Sequence, residues 1–243
     1  PRTPEDFARL RAYADRLAAD VVALQEIDGP LAAARVFDAT RYEFHFPAET
    51  DTQRARGAWR RGLTVTRNPD LMALDLVPTA RRSLRRGADI TVRDGDAPPI
   101  RMLSIHLRAG CAWDPLRQPN TRECQGLGTQ AEILRGWIAD RRAEGIAFAI
   151  LGDFNRRMER DDEFIALLSE PGPLTRVTQG FANPCQARDG GARPFIDHIL
   201  LGGLARDWLV RDSFRVQIYN ERNATARERL SDHCPVSIRI DPR

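Results

Sequence analysis

The stretch IAFAILGDFNRR, residues 146–157, is apolar from Ile146 to Leu151 and then breaks into Gly152, Asp153, Phe154 and Asn155. A short apolar run of this kind reads as a buried strand, and strand side chains alternate between faces, so Asp153 and Asn155 are expected to face the same way. A carboxylate and a carboxamide on one rim can share a ligand. Four more segments are interrupted in the same manner: Glu26 closes VVALQE, His106 closes RMLSIH, Asp197 and His198 sit in PFIDHILL, and Asp232 and His233 lie in LSDHCPV. Three of the four histidines fall in these places. An unpartnered polar group in a buried strand costs on the order of 1–3 kcal/mol. Repeated interruptions therefore call for one explanation, a polar cleft where several strand ends converge. Each signal alone has a plainer reading: Glu26 as a turn cap, His106 as a satisfied core histidine, Asp232-His233 before Pro235 as turn chemistry.

Composition bounds the chemistry. The chain has 243 residues, 42% of them apolar, with no apolar run long enough to cross a membrane, which is consistent with one domain and no stable membrane insertion. Its 37 basic residues are all arginine, so Schiff-base and lysine-base reactions are excluded, and a net charge of +3 permits an anionic substrate without requiring one. Arg81, Arg82, Arg85 and Arg86 in ARRSLRRG form the one dense basic cluster, read here as a solvated loop or strand end in preference to a phosphate patch. The four cysteines show no CxxC spacing, which argues against zinc. Cys111 and Cys124 share one polar loop, where a disulfide closes a short ring; such a bridge implies an oxidising compartment, secreted or periplasmic, and two free thiols are the alternative. The sequence opens on Pro1 without a signal or transit peptide, so its N-terminus is expected to lie upstream, and what precedes it could hold both an export signal and a strand.

The elements that must position these residues alternate along the chain. Thr3 can cap a helix with Pro4 at its first position, and Phe7, Leu10, Tyr13, Ala14 and Leu17 recur at helical spacing. A strand DVVALQEI follows, then extended segments near 62–67, 72–78, 88–93 and 100–107. A second helix is expected over about 127–142, ending before Gly145, and a short one near 161–168. A Pro/Gly-rich connection runs from Glu170 to Pro194, and strands near 195–201, 213–219 and 234–240 close the chain. Two sheets packed face to face with helices outside fit this pattern.

The ordered set LQE, SIHL, GDFN, IDH and SDH resembles the endonuclease/exonuclease/phosphatase superfamily, which includes pancreatic deoxyribonuclease, exonuclease III, sphingomyelinases and inositol-polyphosphate 5-phosphatases. The resemblance extends from Val21 to Val236. It implies an α/β fold, a four-layer sandwich of two packed mixed sheets flanked by helices, and hydrolysis of phosphate esters with Mg2+ or a similar ion, Mn2+ or Ca2+. Such a hard cation prefers carboxylate oxygen, water and phosphate, and Glu26 is the best candidate ligand, with Asp232 beside the metal. By the same resemblance His233 is the base and Asp197 its partner, Asp153 orients or activates the attacking water as a rival base, Asn155 holds a phosphate oxygen, and His106 contacts the scissile phosphate or assists the leaving group. His198 is expected to face away from Asp197 and pack in the sheet. The family's first strand carries an asparagine that would lie upstream of Pro1. Its deoxyribonuclease-like members support the first histidine with an upstream acid, where this chain offers Arg60 and Arg61.

The substrate expectation follows the arginines. Arg60, Arg61, Arg108, Arg156 and Arg157 adjoin motif ends, and a nuclease acting on DNA would use such groups on backbone phosphates. The first alternative is a phosphatase or phospholipase-type phosphodiesterase acting on an inositol phosphate, lipid headgroup or other small phosphoester. The second is a binding module that has lost catalysis on the same scaffold. A monomer is expected.

Overall fold

The computed structural model describes the chain except residues 1, 48–53, 79–83, 160–161, 189–190, 222–224, 226–228 and 243, and the side chains of 54, 186–188 and 191–193. Helix α1, Pro4–Leu17, starts as its sequence dictates. The Thr3 hydroxyl accepts from the Asp6 amide at 3.3 Å, the Asp6 carboxylate accepts from the Thr3 amide at 2.9 Å, and Pro4 occupies the first turn. Strand β1, Val21–Ile27, helix α2, Pro30–Val36, and strands β2, Tyr42–His45, and β3, Arg54–Arg60, follow. The three strands form an antiparallel sheet in the order β1-β3-β2. Ala14 and Ala33 from the two helices pack with Leu24, Tyr42 and Ala58 on its outer face.

The larger sheet has six strands: β4, Thr64–Arg67; β5, Ala88–Arg93; β6, Ile100–His106; β7, Ala147–Asp153; β8, Thr175–Arg176; and β11, Asp197–Gly202. Their order is β4-β5-β6-β7-β11-β8. Only β6 and β7 run parallel, and a parallel neighbour demands a long crossover. Helix α3, Arg122–Ala143, supplies it, and the shorter α4, Glu163–Leu168, packs beside it. Leu103, Ile105, Phe148, Ile150 and Leu200 face these helices and meet Leu134 and Ile138 in a fully buried cluster. The alternate residues, Ile100, Met102, Ala147, Ala149, Ile199 and Leu201, pack toward Val21 and Trp59 of the smaller sheet. The result is four layers, helix, sheet, sheet, helix. The alternation has a direct consequence: His106, Asp153 and Asp197 share the parity of the inward residues, and His198 shares that of the outward ones.

Several expected boundaries shift. Residues 72–78 do not form a strand; Met72–Leu74 is a single 3-10 turn that plugs the fully buried Leu74 under α3, where Gln130 Nε2 donates to its carbonyl at 2.8 Å. Strands β2 and β3 and helix α2 were not legible from periodicity. The connection from Glu170 to Pro194 carries β8 together with a hairpin, β9, Asn183–Arg188, and β10, Gly191–Arg193. The last two strands shrink to β12, Arg215–Val216, and β13, Val236–Ser237, and Pro235, which has no N–H to donate, bounds the pair at one end. No helix among the described residues is long and apolar enough to cross a membrane.

Candidate active site

Three neighbouring strands of the large sheet end in one lateral row. The register sets His106 beside Asp153 on the parallel pair β6 and β7, and Asp153 opposite Asp197 on the antiparallel pair β7 and β11. All three residues are buried and their side chains point between the two sheets. One position back, Gly152 lies between Ile105 and His198 at φ +140°, and a Cβ there would run into the Ile105 carbonyl oxygen, so only glycine lets the three strands close up.

Glu26 reaches the row from the other sheet by a local irregularity. Val22 and Leu24 on β1 pack toward the outer helices, and an unbroken strand would send Glu26 the same way. The register shifts between Leu24 and Ile27, and Glu26 adopts φ +55°, which re-aims its carboxylate inward. Its Oε1 lies 3.9 Å from His106 Nε2, and Asp153 Oδ2 lies 3.5 Å from the same nitrogen. A non-glycine residue in the left-handed region stores strain of order 1–3 kcal/mol, a cost concentrated at functional sites.

Asp153 and Asn155 meet on one rim, as their spacing suggested. Asn155 lies beyond β7 at φ +52°, so a tight turn, not strand alternation, brings it back. Its backbone N–H donates to Asp153 Oδ1 at 2.7 Å, and its amide nitrogen donates to Asp153 Oδ2 and to the Leu107 carbonyl, both at 3.0 Å. These bonds fix the Asp153 carboxylate in place.

His233 completes the cluster from a loop. Its Nδ1 bridges both oxygens of Asp197, at 3.0 and 2.9 Å, and its backbone N–H donates to the Ser231 hydroxyl at 3.1 Å. The next residue, Cys234, forms a disulfide with Cys185 of β9, and the expected Cys111–Cys124 bridge is also present. No spacing in the sequence marked the Cys185–Cys234 pair, whose members lie 49 positions apart.

Electrostatics separate these groups. Burial pushes His106 down to about 3, helped by the positive charges of Arg85 and His233. The buried Nδ1 of His106 has no hydrogen-bond partner among the described residues, which favours the neutral ring with its proton on Nε2, toward the carboxylates. His233 rises to about 9, chiefly through its hydrogen bond to Asp197. Asp153 is raised by burial first and then by the Asp197 carboxylate, with Glu26 adding to the repulsion. The cluster is therefore short of positive charge at its centre, and it is built from oxygen donors, the combination a hard divalent cation offsets. Among the described residues, Asp153, Asp197 and His233 each offer a ligand atom within 4.8 Å of the others. Neither Glu26 nor Asp232 belongs to that trio: Glu26 stays within electrostatic reach of Asp153, and Asp232 is exposed beside His233.

The arginine expectations need correction. On the antiparallel β1–β3 pair Val21 faces Trp59 and Ile27 faces Arg54, so Arg60 and Arg61 lie at the far end of the sheet from Glu26. There Arg60 pairs with Asp20 at 2.7 Å and Arg61 with Glu43 at 2.9 Å. Nor do they support His106, which faces Glu26 and Asp153. Arg156 is 3% exposed and holds Asp162 at 2.6 Å and the Cys111 and Asp114 carbonyls, a structural clamp. Arg108 turns toward α3 and pairs with Glu123 at 3.1 Å. The basic group that does act on the row is Arg85, from the cluster read as solvated; Arg85 and Arg86 are half-buried, and Arg81 and Arg82 lie outside the described residues. The signal was its place at the entrance to β5, whose register against β6 leads to His106. His198 behaves as expected, 1% exposed on the opposite face, bonded to Thr178 and the Arg156 carbonyl.

Solved structures with the same fold include zebrafish TDP2 complexed with a single-strand DNA product, at 16% identity, TM-score 0.64, covering 98% of this chain and 92% of that one. A Neisseria 3' phosphatase, NExo, bound to a product DNA hairpin aligns at 18% identity and TM-score 0.62, over 96% and 95%. A mannosyl-6-phosphatase from Bacteroides thetaiotaomicron aligns at 13% identity and TM-score 0.60, over 98% and 91%. No curated protein matches the chain. The model of the Endonuclease/Exonuclease/phosphatase family matches residues 2–233, spanning every strand that carries the row and the His233 loop, and the chain belongs to that family of phosphoester hydrolases.

Proposed function

We propose that this protein is a divalent-metal-dependent phosphodiesterase whose first substrate class is DNA. The observation that carries the reading is the convergence of Glu26, His106, Asp153 and Asp197 from two sheets on one buried row, closed by His233. Glu26, whose carboxylate reaches the row, would hold a hard cation, Mg2+ or its substitutes Mn2+ and Ca2+, which when bound would supply charge neutralisation for a phosphoryl group.

The chain's own residues divide the remaining work. Asp153 has the raised basicity to take the proton of an attacking water, and Asn155 holds its carboxylate in place. His233, kept as an imidazolium by Asp197, donates to a phosphoryl oxygen as negative charge develops there. His106, neutral with its proton on Nε2, donates to a second oxygen or to the leaving group, and Arg85 strengthens the local positive potential. The raised pKa of Asp153 and the raised pKa of His233 predict a rate that falls in acid, where Asp153 is protonated, and falls in alkali, where His233 loses its proton.

A second reading has its own support. Four of the five arginines expected to track a DNA backbone, Arg60, Arg61, Arg108 and Arg156, are committed elsewhere in the fold, which favours a compact phosphoester over a long duplex. Plasmid DNA incubated with the protein and Mg2+, then with EDTA, separates the readings: nicking that requires metal supports a nuclease, and phosphate release from an inositol or sugar phosphate without nicking supports the compact substrate. Inertness toward both, with no metal bound, would overturn the enzyme reading and leave a binding module. Two disulfides support a secreted or periplasmic setting.

A further inference from the structure

Of the four tryptophans, Trp59, Trp137 and Trp208 are buried at 3%, 5% and 6% exposure, and Trp113 is 53% exposed. It sits on the loop that leaves β6 directly after His106 and leads to α3. That loop is tightly held. The Cys111–Cys124 disulfide fastens it to the first turn of α3, the Arg156 guanidinium donates to the carbonyls of Cys111 and Asp114 on either side of the tryptophan, at 3.0 and 2.7 Å, and the Arg157 N–H donates to the Ala112 carbonyl at 3.1 Å. The indole is therefore presented to solvent by a fixed scaffold, although burying it would release apolar surface from water.

Its companion is equally placed. The Arg157 guanidinium carbon lies 5.0 Å from the Trp113 ring centroid, a cation–π contact, and Arg157 follows Asp153 by four residues, at most about 15 Å of chain. A flat aromatic face and a guanidinium, carried on the two segments that follow His106 and Asp153, match one ligand chemistry, an unpaired base joined to its phosphate.

Resting on the phosphodiesterase reading above, we propose that Trp113 and Arg157 form a base-stacking subsite that directs the enzyme to single-stranded or frayed nucleic acid. Because the other tryptophans are buried, quenchable fluorescence reports Trp113. Titrating the full chain in EDTA with 5'-phosphorylated oligothymidylate should quench this emission, and Trp113→Ala should abolish the quench. In Mg2+, Trp113→Ala should raise KM for the oligonucleotide about tenfold, and Trp113→Phe, which keeps a π face, should recover most of it. An unquenched titration, or an unchanged KM in Trp113→Ala, overturns the subsite. Quenching by a sugar phosphate but not by the oligonucleotide overturns it in favour of sugar recognition. Quenching without hydrolysis in Mg2+ supports the subsite and sinks the catalytic reading, so the two failures are distinguishable.

Discussion

His106 and His233 act on the same carboxylate, Asp153, and their surroundings drive them to opposite charge. His106 rides on β6 inside the sheet with carboxylate oxygens no nearer than 3.5 Å, beyond hydrogen-bond length, and desolvation takes it to about 3. His233 sits on a loop with a third of its side chain open and Asp197 at 2.9 Å, and that bond takes it to about 9. A partner within hydrogen-bond reach outweighs burial, and one slightly farther away does not. The two also differ in how they are held. Strand register alone places His106, whereas the His233 loop borders a two-residue strand and depends on a disulfide and on Tyr219, Leu230 and Tyr13 packed around Cys234.

The largest expected effect comes from erasing the difference at its source. Asp197→Asn removes the charge that holds His233 protonated, and kcat toward bis(p-nitrophenyl) phosphate in Mg2+ should fall about a thousandfold with the circular dichroism spectrum intact. A loss under threefold would mean that His233 does not need its carboxylate. The tether comes next. Cys185→Ser with Cys234→Ser opens a ring of 49 positions and should cost roughly 2–4 kcal/mol in urea denaturation. Hydrogen exchange should rise across the His233 loop and stay slow in β6 and β7; uniform acceleration would show that the loop is not a separate unit. Gly152→Ala tests the sheet half, and the collision with the Ile105 carbonyl should destabilise the fold by on the order of 3 kcal/mol, read as a lowered Tm.

The smallest effects are in the pH dependence of stability. His233, raised in the fold, contributes stability that is complete below its unfolded pKa of about 6.5 and is lost as pH rises through about 9. His106, depressed in the fold, costs stability progressively as pH falls from about 6.5 toward 3. Asp153, raised, acts with the opposite sign to His106 in the acid range, so variants isolate each group better than the wild-type curve. Tm measured against pH should decline less between about 6.5 and 9 in His233→Gln, and less on acidification below about 6.5 in His106→Asn, where the buried His198, depressed to about 4, keeps part of the acid decline. Identical profiles in both variants would refute the opposite charges.

Much of this site was legible because strand-end polarity is a local signal. His106, Asp153 and Asp197 interrupt apolar runs, and period-two alternation then fixes their common face once the register is known. Glu26 was visible as a residue but not as a geometry, since a bulge is needed to turn it inward. Asn155 does meet Asp153, but through a turn beyond the end of β7 and not by strand alternation. The arginines misled because adjacency in sequence says nothing about the far end of an antiparallel sheet, where Arg60 lies, or about a buried clamp such as Arg156. The disulfide beside His233 depended on tertiary proximity alone.

On the proposed function, the buried row around Asp153 hydrolyses phosphoesters with a divalent cation. Bis(p-nitrophenyl) phosphate turnover by the wild type and by Asp153→Asn, each with Mg2+ and with EDTA, tests it most directly. Turnover is expected only in metal-loaded wild type, with a loss of at least about a hundredfold in the variant. Equal rates in the two proteins, or wild-type turnover indifferent to EDTA, would contradict it.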